Sequence, residues 1–340
     1  MSILSENNGV YVTGGAGFIG SHVTELLLER NKKVVVIDNL SSGSVDNLKN
    51  VKKHKNLRVE TLDIRDIAAL KQVINSPFPI IHLAGVADVV PSIVDPEAYF
   101  SVNVTGTLNV LEAARQVASP KVIYAASSTC YGIPESFPTP ECADVVPQFP
   151  YALTKYMGEE LLVHWCRVYG IKATSLRLFN VYGKRARTGG SYGAVMGVFL
   201  SQKANGKPLT IVGDGAQTRD FTHVSDVAGA FLAALTTNHS EIVFNVGSGA
   251  HRSVKDIANL IGGPTVNIPK RPGEPDCTFA DISKIKACLN WEPTVSLEVG
   301  LSELLEGVED WTAAPLWDPE SISKVTADWF RYLGEKDVGH

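Results

Sequence analysis

Four glycines, Gly14, Gly15, Gly17 and Gly20, fall within seven positions between the apolar run GVYVT (9–13) and the amphipathic segment SHVTELLLER (21–30). Glycine inside a regular element costs roughly 0.5–1 kcal/mol relative to alanine, so the cluster needs a reason that a plain loop lacks. A strand, a glycine turn and a helix in succession supply one. Glycines there permit the tight turn, admit a pyrophosphate against the backbone and let helix and strand pack closely. The anion rests on the helix N-terminus, where unpaired N–H groups and the dipole favour negative charge. Asp38 closes the next strand-like run, KVVVID (33–38), eighteen residues after Gly20. A carboxylate there can accept both ribose hydroxyls of adenosine and would repel a 2′-phosphate. No arginine follows it directly, so NAD is expected rather than NADP.

The rest of the first 180 residues repeats this alternation. RVETLD, PIIHLA, KVIYAAS and KATSLRLF are short and rich in β-branched residues. DIAALKQVI, FSVNVTGTLNVLEAARQVA and YALTKYMGEELLVHWCRVYG have apolar residues at helical spacing. Such alternation predicts an α/β chain with a doubly wound parallel sheet, covered on both faces. Beyond about residue 180 glycine becomes frequent and the pattern breaks up, apart from HVSDVAGAFLAAL and IVFNVG, which read as a helix and strand returning to the main sheet. The expected division is a dinucleotide-binding domain over 1–181, rejoined by about 220–247. A substrate-binding domain of mixed α/β type would take 182–219 and 248–312, and a C-terminal helical extension 313–340. In that extension Asp318 and Pro319 read as an N-cap and a first helical position.

Composition excludes several classes. A net charge of −5 gives no case for a nucleic-acid partner. The five cysteines form no CxxC pair, arguing against both a metal site and a disulfide framework. The N-terminal MSILSENNG lacks the features of a leader, and no window is apolar for long enough to span a membrane. A cytoplasmic enzyme is the expectation.

Tyr151 and Lys155, in FPYALTK, stand four apart on a helix and so share a face. A phenol titrates near 10 and is a poor base at neutral pH; a neighbouring ammonium favours phenolate and lowers that value. The pair follows the fifth strand, which ends in Ser127-Ser128-Thr129. Ser127, Tyr151 and Lys155 are therefore a candidate acid–base group.

Taken in order, TGGAGFIG, HLAG, SSTCYG, YALTK, LRLFNVYG and GDGAQTRDFTHVSDVA resemble the extended short-chain dehydrogenase/reductase family, and within it the nucleotide-sugar 4-epimerases. The resemblance runs from about residue 9 to at least residue 300. It implies a Rossmann-type fold and a mechanism. Ser127 bonds the sugar's C4 oxygen, Tyr151 takes the C4 hydroxyl proton, and Lys155 holds the nicotinamide ribose and depresses the tyrosine's pKa. A transient 4-keto sugar turns its other face to enzyme-bound NADH and is reduced with inverted configuration. Cofactor contacts are implied at Gly14, Gly17, Phe18, Ile19, Gly20, Asp38, Asn39, Asp63, Ile64, Leu83, Ala84, Gly85 and Asn103, beside Tyr151 and Lys155. A homodimer through a four-helix bundle of segments 101–117 and 151–169 is implied as well.

Dehydratases of the family carry an Asp-Glu pair after the catalytic threonine, and its decarboxylases use a glutamate in this stretch. Here those positions are Ser128 and Thr129. A UDP-sugar substrate is implied, with Asn180, Arg219 and Arg271 on the diphosphate, whose geometry suits forked guanidinium groups. Glu274 stands where relatives have a ribose-binding aspartate. Thr278 takes a gate position that is a bulky tyrosine in relatives restricted to glucose and galactose, and Ser92 and Ser128 lie near the sugar. A small gate favours UDP-GlcNAc and UDP-GalNAc, alongside UDP-glucose and UDP-galactose. Arg185 and Arg187 leave a uronic-acid epimerase open, since either could face a C6 carboxylate. A C4 dehydrogenase or reductase uses the same three catalytic residues, and a non-catalytic NAD-binding protein is the remaining alternative. His82, His223 and Cys130 are expected to be structural.

Overall fold

The structure is a computed structural model that describes residues 8–186, 195–239 and 241–334. Arg187 and the first seven residues, on which the leader reading rests, lie outside the described residues.

Seven parallel strands form the main sheet: β1 (Gly9–Thr13), β2 (Lys33–Asp38), β3 (Leu57–Thr61), β4 (Ile80–His82), β5 (Lys121–Ser127), β6 (Lys172–Leu178) and β7 (Val243–Val246). Their order is β7-β6-β5-β4-β1-β2-β3. The chain moves outward from β1 through β2 to β3, then crosses to place β4 on the other side of β1. That reversal opens a crevice at the carboxyl ends of β1 and β4, the position where open α/β sheets take ligands. Central strands read as continuous apolar runs because both faces are covered: every residue of β1 and β5 is buried. Each fully buried Val or Ile stabilises the sheet by about 1.5–3 kcal/mol.

Helices α1 (Phe18–Glu29) and α2 (Ile67–Val73) connect the first strands. After β4 come a short helix, α3 (Val89–Val94), then α4 (Thr107–Gln116), and after β5 the long α5 (Pro150–Tyr169). The single helix expected over 100–118 instead enters through Pro96–Phe100 and a π-helical stretch, Ser101–Gly106. There the Thr107 hydroxyl donates to the Asn103 carbonyl at 2.6 Å, a side chain competing with the helical ladder. The run expected as a strand through Asp63 stops at Thr61, because the Asp63 carboxylate accepts the Arg65 N–H at 2.9 Å and turns the chain. Helix α6 (Val224–Thr236) leads into β7, which pairs with β6.

Among the described residues, three small strand pairs stand apart from the sheet. Asn180–Tyr182 pairs with Phe221–His223, Leu209–Val212 with Thr265–Ile268, and Thr218–Arg219 with Arg252–Ser253. They surround a second apolar cluster that includes Tyr182, Phe199, Leu209, Ile257, Trp311, Ile322 and Trp329. Irregular loops and two-residue strands carry no strong period, which is why this half reads poorly from sequence. The last two of these side chains come from α7 (Pro319–Val325) and α8 (Ala327–Leu333). Asp318 caps α7 as expected, with Pro319 in its first turn.

Candidate active site

The glycine turn sits at the β1 end of the crevice. Gly14 has φ +70°, and a Cβ on it would lie 2.6 Å from the Ala84 nitrogen, so only glycine lets β1 and the HLAG turn approach. A Cβ on Gly20 would lie 2.0 Å from the Gly14 carbonyl oxygen, and one on Gly17 3.1 Å from the same oxygen, a tight but less severe contact. Phe18 opens α1, whose N-cap is Gly17 with no side-chain cap, so its first N–H groups are left for an anion. Ile19 packs on the core behind the turn.

The Asp38 carboxylate is buried at the end of β2. It accepts the Ala16 N–H at 3.0 Å and the Leu40 N–H at 2.9 Å, which aims it across the glycine turn. Asn39 donates to Asp63 at 2.9 Å. Arg65 forks onto Asp63 and, with Asn39, holds its carboxyl well below the usual range. Ile64 is buried. On the β4 side, Leu83 and Ala84 donate their N–H groups to the Thr13 carbonyl and hydroxyl. A Cβ on Gly85 would lie 3.0 Å from the Asn103 amide oxygen and 3.7 Å from the Lys155 Nζ. This cradle, with a positioned carboxylate and a backbone stripped of side chains, fits a dinucleotide. Asn103 is otherwise engaged: its amide bonds both the N–H and C=O of Val86 and the Thr154 hydroxyl, pinning the HLAG turn to α5.

Ser127, Tyr151 and Lys155 are brought together. The Ser127 hydroxyl bonds the Thr129 hydroxyl at 2.9 Å, in the turn that starts at Ser128, and lies near enough to the Tyr151 phenol to oppose the rise in its pKa. Thr129 is thus a polar partner of Ser127, and neither Ser128 nor Thr129 supplies an acid or base. Lys155 is buried, with its ammonium 4.3 Å from the Tyr124 ring centroid. Burial brings its pKa down to about 7, partly opposed by Glu159. The expectation that Lys155 lowers the tyrosine's pKa needs correction. Burial raises the Tyr151 phenol, the Asp88 carboxylate adds to that, and the opposing influence is the Ser127 hydroxyl. Loss of hydration on burial is the largest influence on the phenol, and Lys155 is not among the groups that shift it.

Behind these residues, Arg177 and Glu159 form a buried ion pair at 2.5 Å, joined by the Ser175 hydroxyl at 2.6 Å. His82 lies between the hydroxyls of Thr13 (2.7 Å) and Thr107 (3.0 Å). Burial and the nearby Lys155 push it down to about 3. It is a neutral structural link, and His223 caps α6. The Cys130 thiol is pushed up to about 12 by burial and is no nucleophile.

On the facing wall, Glu274 joins the two candidate arginines, accepting from Arg219 at 2.8 Å and lying 3.7 Å from Arg271. The Thr278 hydroxyl donates to Asn180 at 3.1 Å. Ser92 does not offer its hydroxyl outward; it is buried and donates to the Val89 carbonyl at 2.6 Å. The Arg185 guanidinium is paired with Glu25 of α1 at 2.7 Å. Tyr124, Glu159 and Asp88 were missed by motif reading. A tyrosine within the otherwise apolar KVIYAAS was the one available signal for the first of them. Among the described residues no group of three His, Cys, Asp or Glu could hold a metal, and no helix is long and apolar enough to cross a membrane.

Residues 10–247 match the family described as NAD dependent epimerase/dehydratase. Among the solved structures that share the fold are three bound to nucleotide sugars. A UDP-glucose 4-epimerase with UDP-glucose from Thermotoga maritima is 35% identical, covering 88% of this chain and 97% of its own, with a TM-score of 0.82. A UDP-N-acetylglucosamine 4-epimerase from Methanobrevibacter ruminantium, complexed with UDP-N-acetylmuramic acid, is 33% identical over 90% and 98%, at 0.83. A UDP-glucuronic acid 4-epimerase from Bacillus cereus, with UDP-glucuronic acid and NAD, is 33% identical over 89% and 99%, at 0.82.

Proposed function

The chain belongs to the NAD-dependent epimerase/dehydratase family, and we propose that within it the protein interconverts UDP-GlcNAc and UDP-GalNAc, with UDP-glucose and UDP-galactose as further substrates. The activity class is that of a UDP-sugar 4-epimerase, an NAD-dependent isomerase. NAD supplies reversible two-electron oxidation at C4 when bound, along the cradle from Gly14 to Asp38 and Gly85. Ser127 donates a hydrogen bond to the C4 oxygen and shares its proton with Tyr151. Tyr151 accepts the C4 hydroxyl proton and returns it after the sugar has turned over. Lys155 would hold the nicotinamide ribose when NAD is bound, with burial lowering its pKa. Arg219, Arg271 and Asn180 hold the diphosphate and leave the hexose free to rotate, while Glu274 takes the nucleotide ribose and balances one of the two arginine charges.

The observation that supports the reaction class is the Ser127 hydroxyl near the Tyr151 phenol, with Lys155 one helical turn on, in a site where Ser128 and Thr129 stand in place of carboxylates. For the sugar, the support is the small Thr278, bound to Asn180, at a gate position that a bulky tyrosine would fill. Of the two arginines that a uronic-acid substrate would call on, Arg185 already pairs with Glu25, and Arg187 lies outside the described residues. The test is to incubate the protein with UDP-GlcNAc and no added cofactor. UDP-GalNAc should form with no net change in reduced-nicotinamide absorbance; a net rise would assign a C4 dehydrogenase instead. We also propose a homodimer, supported by Leu153, Val168 and Tyr169 exposed on α5. A monomer mass in light scattering would exclude it.

A further inference from the structure

The segment carrying Arg271 has no regular secondary structure of its own between Ile268 and Ser283. Gly273 within it takes φ +69° with no neighbour within 4 Å of a Cβ there. Within the segment Glu274 lies 3.7 Å from Arg271, and a diphosphate-binding arginine on such a segment gains further support from outside it. Trp329, on the C-terminal helix α8, supplies that support in three ways. Its indole N–H donates to the Pro272 carbonyl at 2.7 Å. Its ring lies under the Arg271 guanidinium, 5.5 Å from centroid to carbon. Its other neighbour is Phe149, 6.1 Å between ring centroids, two residues before Tyr151. The side chain is only 4% exposed, and α8 also packs on α3.

We propose that Trp329 is a positioning residue for substrate, holding Arg271 against the segment that leads into Tyr151, so that the C-terminal helix sets the affinity for the UDP-sugar. This rests on the reading of Arg271 as a diphosphate ligand. A guanidinium stacked on an aromatic face keeps its N–H edge available for a forked anion, while losing the freedom to swing away. Fixing the Pro272 carbonyl from the same ring removes the loop motion that binding would otherwise have to arrest. Phe149 places the same indole next to the start of α5, so phosphate capture and the acid–base residues share one support. These contacts of Trp329 are with Arg271, Pro272 and Phe149, not with the cofactor cradle or with Ser127 or Tyr151, so it should govern binding rather than the chemical step.

The experiment compares the full-length protein with Trp329→Leu and Trp329→Phe, using UDP in calorimetry and UDP-GlcNAc in kinetics. Trp329→Leu should weaken UDP binding and raise KM by roughly tenfold, the scale of a lost partly buried cation–π contact. Its kcat should stay within about twofold, since the acid–base residues are untouched, and its bound NAD should be unchanged. Trp329→Phe keeps an aromatic face and should recover most of the affinity. Loss of kcat at unchanged KM, or wild-type UDP binding in the leucine variant, would overturn the inference. Should Trp329→Leu fail to fold, intrinsic fluorescence decides: UDP should perturb the emission of the wild type, and that change should be absent in Trp329→Phe. An identical change in both, or none in the wild type, would overturn it. Failure of wild-type protein to bind UDP at all would instead remove the proposed function, so the two failures are distinguishable.

Discussion

The Lys155 ammonium sits 4.3 Å from the ring centroid of Tyr124, under the HLAG turn and one helical turn from Tyr151. A buried cation facing a ring rather than a carboxylate is only partly compensated, and burial accordingly brings its pKa down to about 7. In the unfolded chain the same lysine titrates near 10.4. The folded pKa is depressed, so the cost of burying the charge is fully present below pH 7. It fades as pH rises from 7 towards 10.4, at no more than about 1.4 kcal/mol per unit. Lys155→Met should therefore raise the melting temperature of cofactor-free protein more at pH 6 than at pH 9. An equal gain at both would mean that the lysine keeps its ordinary pKa.

Tyr151→Phe removes the group that exchanges the C4 proton and little else, because the ring's packing against Tyr99 at 6.3 Å remains. Turnover should fall by roughly 10²–10⁴-fold, the usual contribution of a positioned acid–base group, with NAD still bound and the fold intact. A wild-type rate would assign the proton transfer to another residue.

The Arg177–Glu159 pair, 6% and 2% exposed in its side chains, tests the stability of the core behind the site. Glu159→Gln leaves a buried guanidinium without its counter-ion and should cost about 3–5 kcal/mol. Replacing both residues by apolar ones of similar volume should cost less than that single change. Denaturant melts of the two singles and the double would show it, and simple additivity would contradict it.

Thr278→Tyr narrows the space beside Asn180. The ratio of kcat/KM for UDP-GlcNAc over UDP-glucose should fall by at least tenfold, a loss of about 1.4 kcal/mol in the discriminating contact. An unchanged ratio would mean that selectivity for the N-acetyl group lies elsewhere.

The sheet was legible because its central strands bury both faces. GVYVT, KVVVID and KVIYAAS become β1, β2 and β5 with the same bounds. The glycine positions were legible for a similar reason, since Gly14 and Gly20 have no room for a Cβ. Individual pKa values were not. Motif spacing placed Lys155 beside Tyr151 but could not weigh burial against charge, and burial prevails for both. Ser92 shows the same limit: its position in VPSIVDP suggested a sugar contact, yet its hydroxyl turns back to the Val89 carbonyl. Trp329 was invisible because its partners, Phe149 and Pro272, are distant in sequence and joined only by tertiary packing.

The central claim, epimerisation at C4 by a protein that recycles its own NAD, is tested most directly by a proton NMR time course with no added cofactor. UDP-GlcNAc, UDP-glucose and UDP-GlcNAc uronic acid would be followed separately. The account predicts that UDP-GlcNAc converts to UDP-GalNAc until the two reach equilibrium, UDP-glucose to UDP-galactose more slowly, and the uronic acid least. Protein that carries NAD yet leaves all three anomeric signals unchanged, or that converts only the uronic acid, would contradict it.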